Sequence, residues 1–428
     1  MKRTNRILPV YSADISGVCS ALYELGGMTV MHDASGCNST YTTHDEPRWY
    51  SMDSMVYISA LSELEAVMGD DEKLVRDIVD AANNLHPRFV CMGGTPIPMM
   101  MGTDFRGLAR MIERETGIPA FGIDTNGMHS YIRGAGEALA WIARRFCPSA
   151  EELLLLLEQR EKQHEEADGC VYHGLPVNIL GATPLDFSLT GNIANMKLFL
   201  GLNGIDVVSC WAMESSLDEL QLSGIAKVNL VISAAGLPAA HVRKELYGIP
   251  YVVGTPVGRW AARRVVELIK AAAGTGMDQV LTARSGGKRW KGGTDGTDGP
   301  DSPDAEAPDY VDRHGLPQHL EGKRILIVGE QIIANSIRVS LMEDLDADQV
   351  AVLCPMEGEA EYAEDGDILF WDEDEVIEQI GRSAIVIADP LYRQVCPKDK
   401  QVIFVDFPHE ACSGRMYHEI MKPFVYIK

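Results

Sequence analysis

Short runs of apolar and β-branched residues alternate along this chain with stretches of helical periodicity. In the first third, the apolar runs 88–92 and 119–123 predict buried strands, and the periodic stretches 72–85 and 131–146 predict helices. A capping-box pattern at 149–152 then predicts the start of an amphipathic helix that continues to residue 166. This alternation is typical of βαβ units built on a parallel sheet.

The same pattern starts again twice farther along the chain. Strand-like runs occur at 176–180, 206–209, 228–232 and 251–253, then at 323–330, 350–353, 384–387 and 401–405. We therefore predict an α/β chain of three similar units, residues 1–168, 169–283 and 322–428. In parallel sheets of this kind, ligands bind outside the carboxyl ends of the strands.

Residues 284–321 differ in composition from the rest of the chain. The stretch 291–300 consists mostly of glycine, threonine and aspartate, and further aspartates and prolines follow it. Such a composition cannot bury a core, so we predict a flexible linker or exposed loop between the second and third units.

Charge and cysteine content exclude several classes of protein. The 428 residues include 38 basic and 62 acidic side chains, a formal net charge of −24. That balance argues against nucleic acid or an anionic membrane as a partner. The nine cysteines are scattered and form no C-x-x-C pair, which argues against a disulfide framework or a zinc ribbon. We read no signal peptide and no apolar run of the roughly 18 residues a membrane span needs, and expect a reducing cytoplasm.

Cys19 and Cys37 are the leading candidates for a metal centre. Cys37 follows Gly36 just after an apolar stretch, where a strand passes into a loop and a thiolate can point outward. Two thiolates are half of what an iron–sulfur cluster usually takes, and a two-fold partner can supply the rest. The alternative is that both cysteines pack as small apolar residues, as most cysteines do. His32 is either a neighbour of the cluster or an ordinary core histidine.

A second candidate segment spans residues 42–50 and is dense in polar and aromatic side chains. It offers acid–base groups such as His44 and Glu46, an anion contact in Arg48 and a stacking surface in Trp49. The alternative is a polar loop whose charges pair with one another.

A third segment, residues 405–415, lies just past the final predicted strand and so faces the crevice of its sheet. His409, Glu410, Cys412 and Arg415 are its candidate pocket residues, against the alternative of an ordinary surface loop. The chain has no phosphate-binding glycine loop, so any ATP that the reaction needs is expected on a separate protein.

These segments, in their order and spacing, resemble the nitrogenase component 1 family. His32 to Cys37 looks like its His-x-x-x-Gly-Cys signature, and Cys91 to Asp104 looks like its strand–loop–Gly-Asp-Asp segment, with Thr103 in place of the first aspartate. The runs that begin at Val177 and Lys323 look like its domain openings, the latter with a Gly-Lys-Arg…Gly-Glu pattern. The resemblance covers nearly the whole chain and implies three Rossmann-like parallel-sheet domains.

The sequence also departs from the family pattern. The family's first cluster cysteine usually lies farther upstream of the second than Cys19 does from Cys37, and its third cysteine falls on Thr95 or Pro96. The cysteine that holds the nitrogenase cofactor falls near Ser233. The resemblance therefore implies that this chain does not hold that cofactor in that way, and dinitrogen reduction is not expected.

The resemblance implies the catalytic component of a two-component reductase. A homodimer, or a pair with a paralogous subunit, would hold a [4Fe–4S] cluster between subunits through Cys19 and Cys37. An ATP-dependent iron protein would supply electrons, and His44 or His409 would donate protons to a substrate between the domains. The alternative is a non-catalytic scaffold for assembly of a metal-cluster or tetrapyrrole cofactor. A third option is a cluster-free binding protein with three domains.

Overall fold

Three parallel β-sheets with flanking helices form the framework of the chain. The computed structural model describes residues 6–34, 36, 41, 45–163, 173–283, 316, 320–369, 372–398 and 400–425. Each sheet lies within one of the three predicted α/β units, which confirms the predicted fold class. Nearly all of the predicted linker, residues 284–321, lies outside the described residues, and the exact unit boundaries stay predictions.

The first sheet has four strands in the order β2-β1-β3-β4. Its strands are β1 (Met28–His32), β2 (Met55–Ile58), β3 (Val90–Gly94) and β4 (Ala120–Ile123). Its helices are α1 (Asp14–Leu22), α2 (Glu63–Met68), α3 (Asp71–Leu85), α4 (Pro96–Met101), α5 (Phe105–Thr116), α6 (Tyr131–Phe146) and α7 (Ala150–Gln163). The predicted capping box opens α7, where the Ser149 and Glu152 side chains each accept the other's main-chain N–H.

Strand β3 ends two residues later than the sequence predicts. Met31 and His32 of β1 pair with Gly93 and Gly94 in parallel register, so the ladder continues through the two glycines. A methyl group at Gly93 would crowd Ile15 and Thr125. The glycines therefore allow close packing inside the strand and do not terminate it.

The second sheet has five parallel strands in the order β6-β5-β7-β8-β9. They are β5 (Leu175–Leu180), β6 (Ile205–Cys210), β7 (Val228–Val231), β8 (Tyr251–Val253) and β9 (Gln279–Val280). The helices of this unit are α8 (Pro184–Phe187), α9 (Asn192–Leu202), α10 (Leu217–Leu222), α11 (Leu237–Tyr247) and α12 (Arg259–Thr275). Central strands β5 and β7 are almost continuously apolar, as expected for strands covered on both faces.

The third sheet has four parallel strands in the order β11-β10-β12-β13. They are β10 (Arg324–Val328), β11 (Gln349–Leu353), β12 (Ile385–Ala388) and β13 (Ile403–Asp406). Its helices are α13 (Gln331–Asp344), α14 (Glu373–Arg382) and the short α15 (Glu410–Ser413).

The apolar cores of the three units are continuous with one another. One core cluster joins Val177 and Ile179 of β5 to Ile325 and Ile327 of β10. A second cluster joins α1 and α6 of the first unit to Leu180, Cys354 and Ala411 of the other two. The ends of strands from different sheets consequently meet in the middle of the molecule, at the place where such folds bind ligands.

Candidate functional site

The loop after β1 carries two of the predicted site residues, Cys37 and His44, and both lie outside the described residues. His32, at the end of β1, is buried, and its Nδ1 lies 2.8 Å from the Ser59 hydroxyl. Burial lowers the pKa of His32, because a charged imidazole is poorly solvated there. His32 is thus a buried, hydrogen-bonded histidine.

Cys19 lies on α1, and its side chain is fully buried in the core of the first unit. Burial raises the pKa of its thiol, and the nearby Glu46 carboxylate raises it further. Cys91, in the middle of β3, is equally buried beside it. An intersubunit cluster needs sulfurs at the chain surface, and in this structure Cys19 does not fit that role.

Thr95 stands at the position that resembles the family's third cluster cysteine. Its hydroxyl donates a 2.6 Å hydrogen bond to Asp33, the residue after β1. Thr95 and Asp33 are both buried. A hydrogen bond between the Thr95 hydroxyl and the Asp33 carboxylate therefore joins the ends of β1 and β3. In the family pattern, a cysteine thiolate occupies the position of Thr95.

In the polar segment after residue 41, the charged side chains of Glu46 and Arg48 pair with each other. The Arg48 guanidinium is buried and donates to Glu46 at 2.6 Å and to Glu24 at 2.8 Å. Its remaining N–H groups donate to main-chain oxygens of Ser20 and Ala212. Arg48 has no donor left for an exogenous anion, so the self-paired interpretation is confirmed for these two residues.

A second polar group lies where the three units meet, and we name it the junction cluster: Tyr131, Asp186, Glu330, His409 and Cys412. Tyr131 begins α6, Asp186 lies on α8 after β5, Glu330 follows β10, and the other two follow β13. All five are buried. Asp186 is central, because it accepts a hydrogen bond from the Tyr131 hydroxyl and lies 3.4 Å from His409 Nε2.

His409 is the imidazole of the junction cluster, and it is only 3% exposed. Its Nε2 pairs with the Asp186 carboxylate at 3.4 Å, although neither ring nitrogen makes a hydrogen bond of full geometry. Burial lowers the pKa of His409, but Cys412 and Asp186 raise it, and the net result lies well above the usual value. The neighbouring groups thus favour the charged form of His409, which would have to lose a proton before it could bind a metal.

Glu330 joins the second and third units. Its carboxylate accepts main-chain N–H groups of Ile332 and Ile333 at the start of α13, at 3.2 and 2.9 Å. It also accepts the N–H of Ala234, which follows β7, at 2.9 Å. Burial, with a smaller contribution from the Asp186 charge, raises the pKa of Glu330 to about 7.

Ser233 stands near the position that resembles the family's cofactor cysteine. It is fully buried after β7, and its hydroxyl donates to the Gly181 carbonyl oxygen at 2.8 Å. This bond ties the end of β7 to the end of β5. The groups at the junction that could bind a metal are therefore His409 and the neighbouring thiols, because the Ser233 hydroxyl is already hydrogen-bonded to Gly181.

Clefts approach the junction cluster from different sides. A cleft of about 370 Å³ is lined by Asp186 and Glu410, and one of about 460 Å³ is lined by Met356. A third, of about 480 Å³, is lined by Cys412 and by the N-terminal segment, including Leu8 and Tyr11. The cluster is thus enclosed by the fold but adjacent to solvent-accessible space on several sides.

The described residues lack both a metal-binding cluster and a membrane-spanning helix. They contain no group of three or more His, Cys, Asp or Glu side chains arranged to hold a metal ion. None of their helices is both long and apolar enough to cross a membrane.

The sequence pointed to His409 and Cys412 through their position after the last strand, and the structure brings these two residues together. It did not point to Asp186 or Tyr131, which lie on helices of other units. Glu330 appears in the sequence only as the end of a domain-opening pattern. These contacts join distant segments of the chain, and no spacing in the sequence shows that the side chains meet.

Comparisons with known proteins converge on one family. The model of the nitrogenase component 1 type oxidoreductases matches residues 17–385. The nitrogenase iron–molybdenum cofactor biosynthesis protein NifE of Clostridium pasteurianum is 26% identical over 243 residues, 55% of this chain and 48% of that protein. The nitrogenase molybdenum–iron protein alpha chain of Crocosphaera subtropica is 26% identical over 211 residues, 47% of this chain and 40% of that one.

These matches leave part of each relative uncovered, since the chain spans about half the length of the curated relatives it matches. A solved structure of nitrogenase Cp1 at pH 6.5 aligns with a TM-score of 0.63 and 14% identity, over 98% of this chain and 93% of that one. At that identity the likeness establishes the fold.

Proposed function

The chain belongs to the nitrogenase component 1 type oxidoreductase family, and we propose that it acts there as a scaffold that holds a metal-cluster cofactor during assembly. The observation that carries this proposal is the junction cluster, where the imidazole of His409 is enclosed by Tyr131 and Asp186 from the other two units and its Nδ1 has no hydrogen-bond partner. Several relatives are cofactor biosynthesis proteins by name, which supports assembly over substrate reduction. The cluster is here the cargo of the protein.

The donors at the junction suit a cargo that must later leave. The position that resembles the family's cofactor cysteine carries Ser233, whose hydroxyl is already bonded to Gly181. A neutral hydroxyl is a weak ligand for iron compared with a thiolate. The residues at the junction fit a cluster held through His409, with release through one of the adjoining clefts.

The expected partners come from the family and from the lack of a phosphate-binding glycine loop in the sequence. We expect an identical or paralogous subunit, and an ATP-dependent iron protein that carries the nucleotide. A [4Fe–4S] cluster between subunits stays a prediction that concerns Cys37, because the sulfur of Cys19 lies in the core. Cys37→Ser should lower the iron content if Cys37 ligates such a cluster, and unchanged iron would contradict that ligation.

A transfer experiment separates a scaffold from a reductase. The chain is isolated without oxygen, and its bound iron and sulfide are measured. It is then mixed with a cofactor-free nitrogenase component 1 protein, in the presence and absence of the iron protein with MgATP. We expect iron to leave the chain and appear on the acceptor, without sustained oxidation of the reductant.

Two results would contradict the proposal. Sustained MgATP-dependent consumption of reductant, with the iron retained on the chain, would identify a catalytic reductase. A chain isolated without iron would exclude the cargo altogether. His409→Ala should lower the bound iron, whereas His241→Ala, which removes an exposed imidazole from α11, should not.

A further inference from the structure

Residues 6–13 cross the surface from the third unit to the first, and we name this segment the strap. It contains no helix or strand, and its last residue, Ala13, forms an antiparallel bridge with Ser130, just before α6. Near its start, Ile7 is buried in the core of the third unit together with Val328 of β10. The strap therefore begins in one unit and ends at the α1 helix of another.

The middle of the strap is hydrogen-bonded to the helix α15. The main-chain N–H groups of Tyr11 and Ser12 both donate to the Ala411 carbonyl oxygen, at 2.7 and 3.0 Å. Ala411 lies in the sequence between His409 and Cys412 of the junction cluster. The strap thus contacts the main chain of the segment that carries these two residues.

The strap also separates two of the clefts that approach the junction cluster. Leu8 and Tyr11 line both the cleft of about 480 Å³ and the cleft of about 460 Å³. The first cleft reaches Cys412, and the second reaches Met356, whose sulfur accepts a hydrogen bond from the Tyr131 hydroxyl at 3.5 Å. Because the same two side chains form a wall of each cleft, lifting the strap would join them into one wider opening.

Few apolar contacts hold the strap in place. Leu8 is 59% exposed and Tyr11 is 47% exposed, and Val10 is only partly buried. Among the apolar side chains of residues 6–13, Ile7 is the one that is buried. Segments with few buried apolar contacts open locally at a lower free energy than the rest of a fold. Ile7 is therefore the anchor of the strap.

We propose that the strap is a gate, which Ile7 holds shut and which lifts to let the metal-cluster cargo enter or leave the junction. The identity of the cargo rests on the proposed function, whereas the opening of the strap is a property of the fold alone. Lifting it breaks the hydrogen bonds to Ala411 and withdraws Ile7 from the third unit, and it leaves the three sheets in place.

The reaction of Cys412 with N-ethylmaleimide tests the gate independently of any activity. Metal-free, full-length chain is treated with the reagent, and each modified cysteine is identified by mass spectrometry of its peptide. Ile7→Asp places a charge in an apolar core, so the strap should come away and Cys412 should react at least tenfold faster. Cys354 is fully buried and lines neither cleft, so it should react at the wild-type rate.

Leu8→Asp is the matched control. It adds the same charge at the next residue of the strap, where the side chain is exposed, and should leave the rate at Cys412 unchanged. Glu373→Ala is a second loosening variant, because the Glu373 carboxylate accepts the Ile7 N–H at 3.2 Å. It should also accelerate the reaction of Cys412, and thermal unfolding shows whether each variant folds.

The labelling results decide whether the strap is a gate. Acceleration at Cys412 alone supports it. Equal acceleration of Cys412 and Cys354 would show that the whole fold has loosened, and no acceleration at Cys412 would show that the strap does not cover it. Either result would overturn the gate.

Iron transfer decides whether the cargo uses this opening. In chain isolated without oxygen, Ile7→Asp should pass iron to the cofactor-free acceptor at least tenfold faster than Leu8→Asp does. Faster labelling with unchanged iron transfer would overturn the strap as the route of the cargo. A strap that opens in a chain that never carries iron would overturn the scaffold and leave the opening itself standing.

Discussion

Glu330 combines two opposing influences in one buried side chain. Three main-chain N–H groups favour its charged form, while burial and the Asp186 charge favour its neutral form. Burial is the larger effect, and the pKa rises to about 7. The folded chain therefore binds a proton at Glu330 over a pH range in which the unfolded chain has lost it.

This proton makes stability depend on pH with a definite sign. A carboxyl with a raised folded-state pKa contributes stability below its unfolded pKa and loses that contribution as the pH rises through about 7. Glu330→Gln cannot titrate. The unfolding free energy of the wild type minus that of Glu330→Gln should therefore fall from about pH 5 to about pH 8. Urea unfolding of the metal-free chain at several pH values measures it.

Glu152→Gln provides the control for this series. Glu152 is exposed in the capping box of α7, and hydrogen bonds from Ser149 lower its pKa. It stays charged throughout the range tested, so its difference from wild type should not change with pH. A Glu330→Gln difference that is equally independent of pH would show that the junction does not hold a proton there.

The sequence did not predict the partners of Arg48 or the burial of Cys19. The pattern His32 to Cys37 and the family resemblance located the loop, but the buried ion pair of Arg48 depends on Glu24 and on the Ala212 carbonyl oxygen from another unit. Cys19 illustrates the same limit. Helical periodicity does not distinguish a thiol that faces a partner from one that faces the core.

Helices α1 and α6 approach each other very closely. A methyl group built on Gly134 of α6 would overlap the Asp14 carbonyl, and one on Gly17 of α1 would overlap the Tyr131 carbonyl. The two helices therefore touch backbone to backbone. This contact sets the position of Tyr131, the residue by which the first unit enters the junction cluster.

Gly134→Ala should consequently separate the two helices. Overpacking of this type usually costs about 1–3 kcal/mol of stability. It should also lower the iron bound to chain isolated without oxygen, because Tyr131 and its partner Asp186 at the junction would shift. Urea unfolding and analysis of bound iron provide the two measurements.

Gly201→Ala is the matched substitution for this test. Gly201 lies in α9, and a methyl group there meets no atom within 4 Å. Alanine is the better helix former, so stability should stay the same or rise slightly. Equal stability of the two variants would contradict the close helix contact.

Local signals predicted the elements well where they are strong. The capping box at Ser149 and the β-branched runs of the central strands gave correct elements close to their observed bounds. The end of β3 was missed, because glycines usually mark turns and here serve close packing. The order of strands within each sheet was not predicted, since it depends on pairings between distant segments.

At the scale of the whole molecule, the three sheets direct their strand ends and following loops to a common centre. The alternation of strand and helix predicted the three units, and the strand-end rule placed His409 and Cys412 facing a crevice. Neither could show that Asp186 and Tyr131 complete the cluster from other units. The account therefore depends on one claim, that this centre is where a metal cluster is carried.

Anomalous X-ray scattering at the iron edge tests that claim most directly. Crystals are grown from chain isolated without oxygen, so that any cargo is retained. The account predicts iron density at the junction cluster, beside His409. Iron confined to the loop that carries Cys37, or no iron at the junction of a chain whose cluster was confirmed in solution, would contradict it.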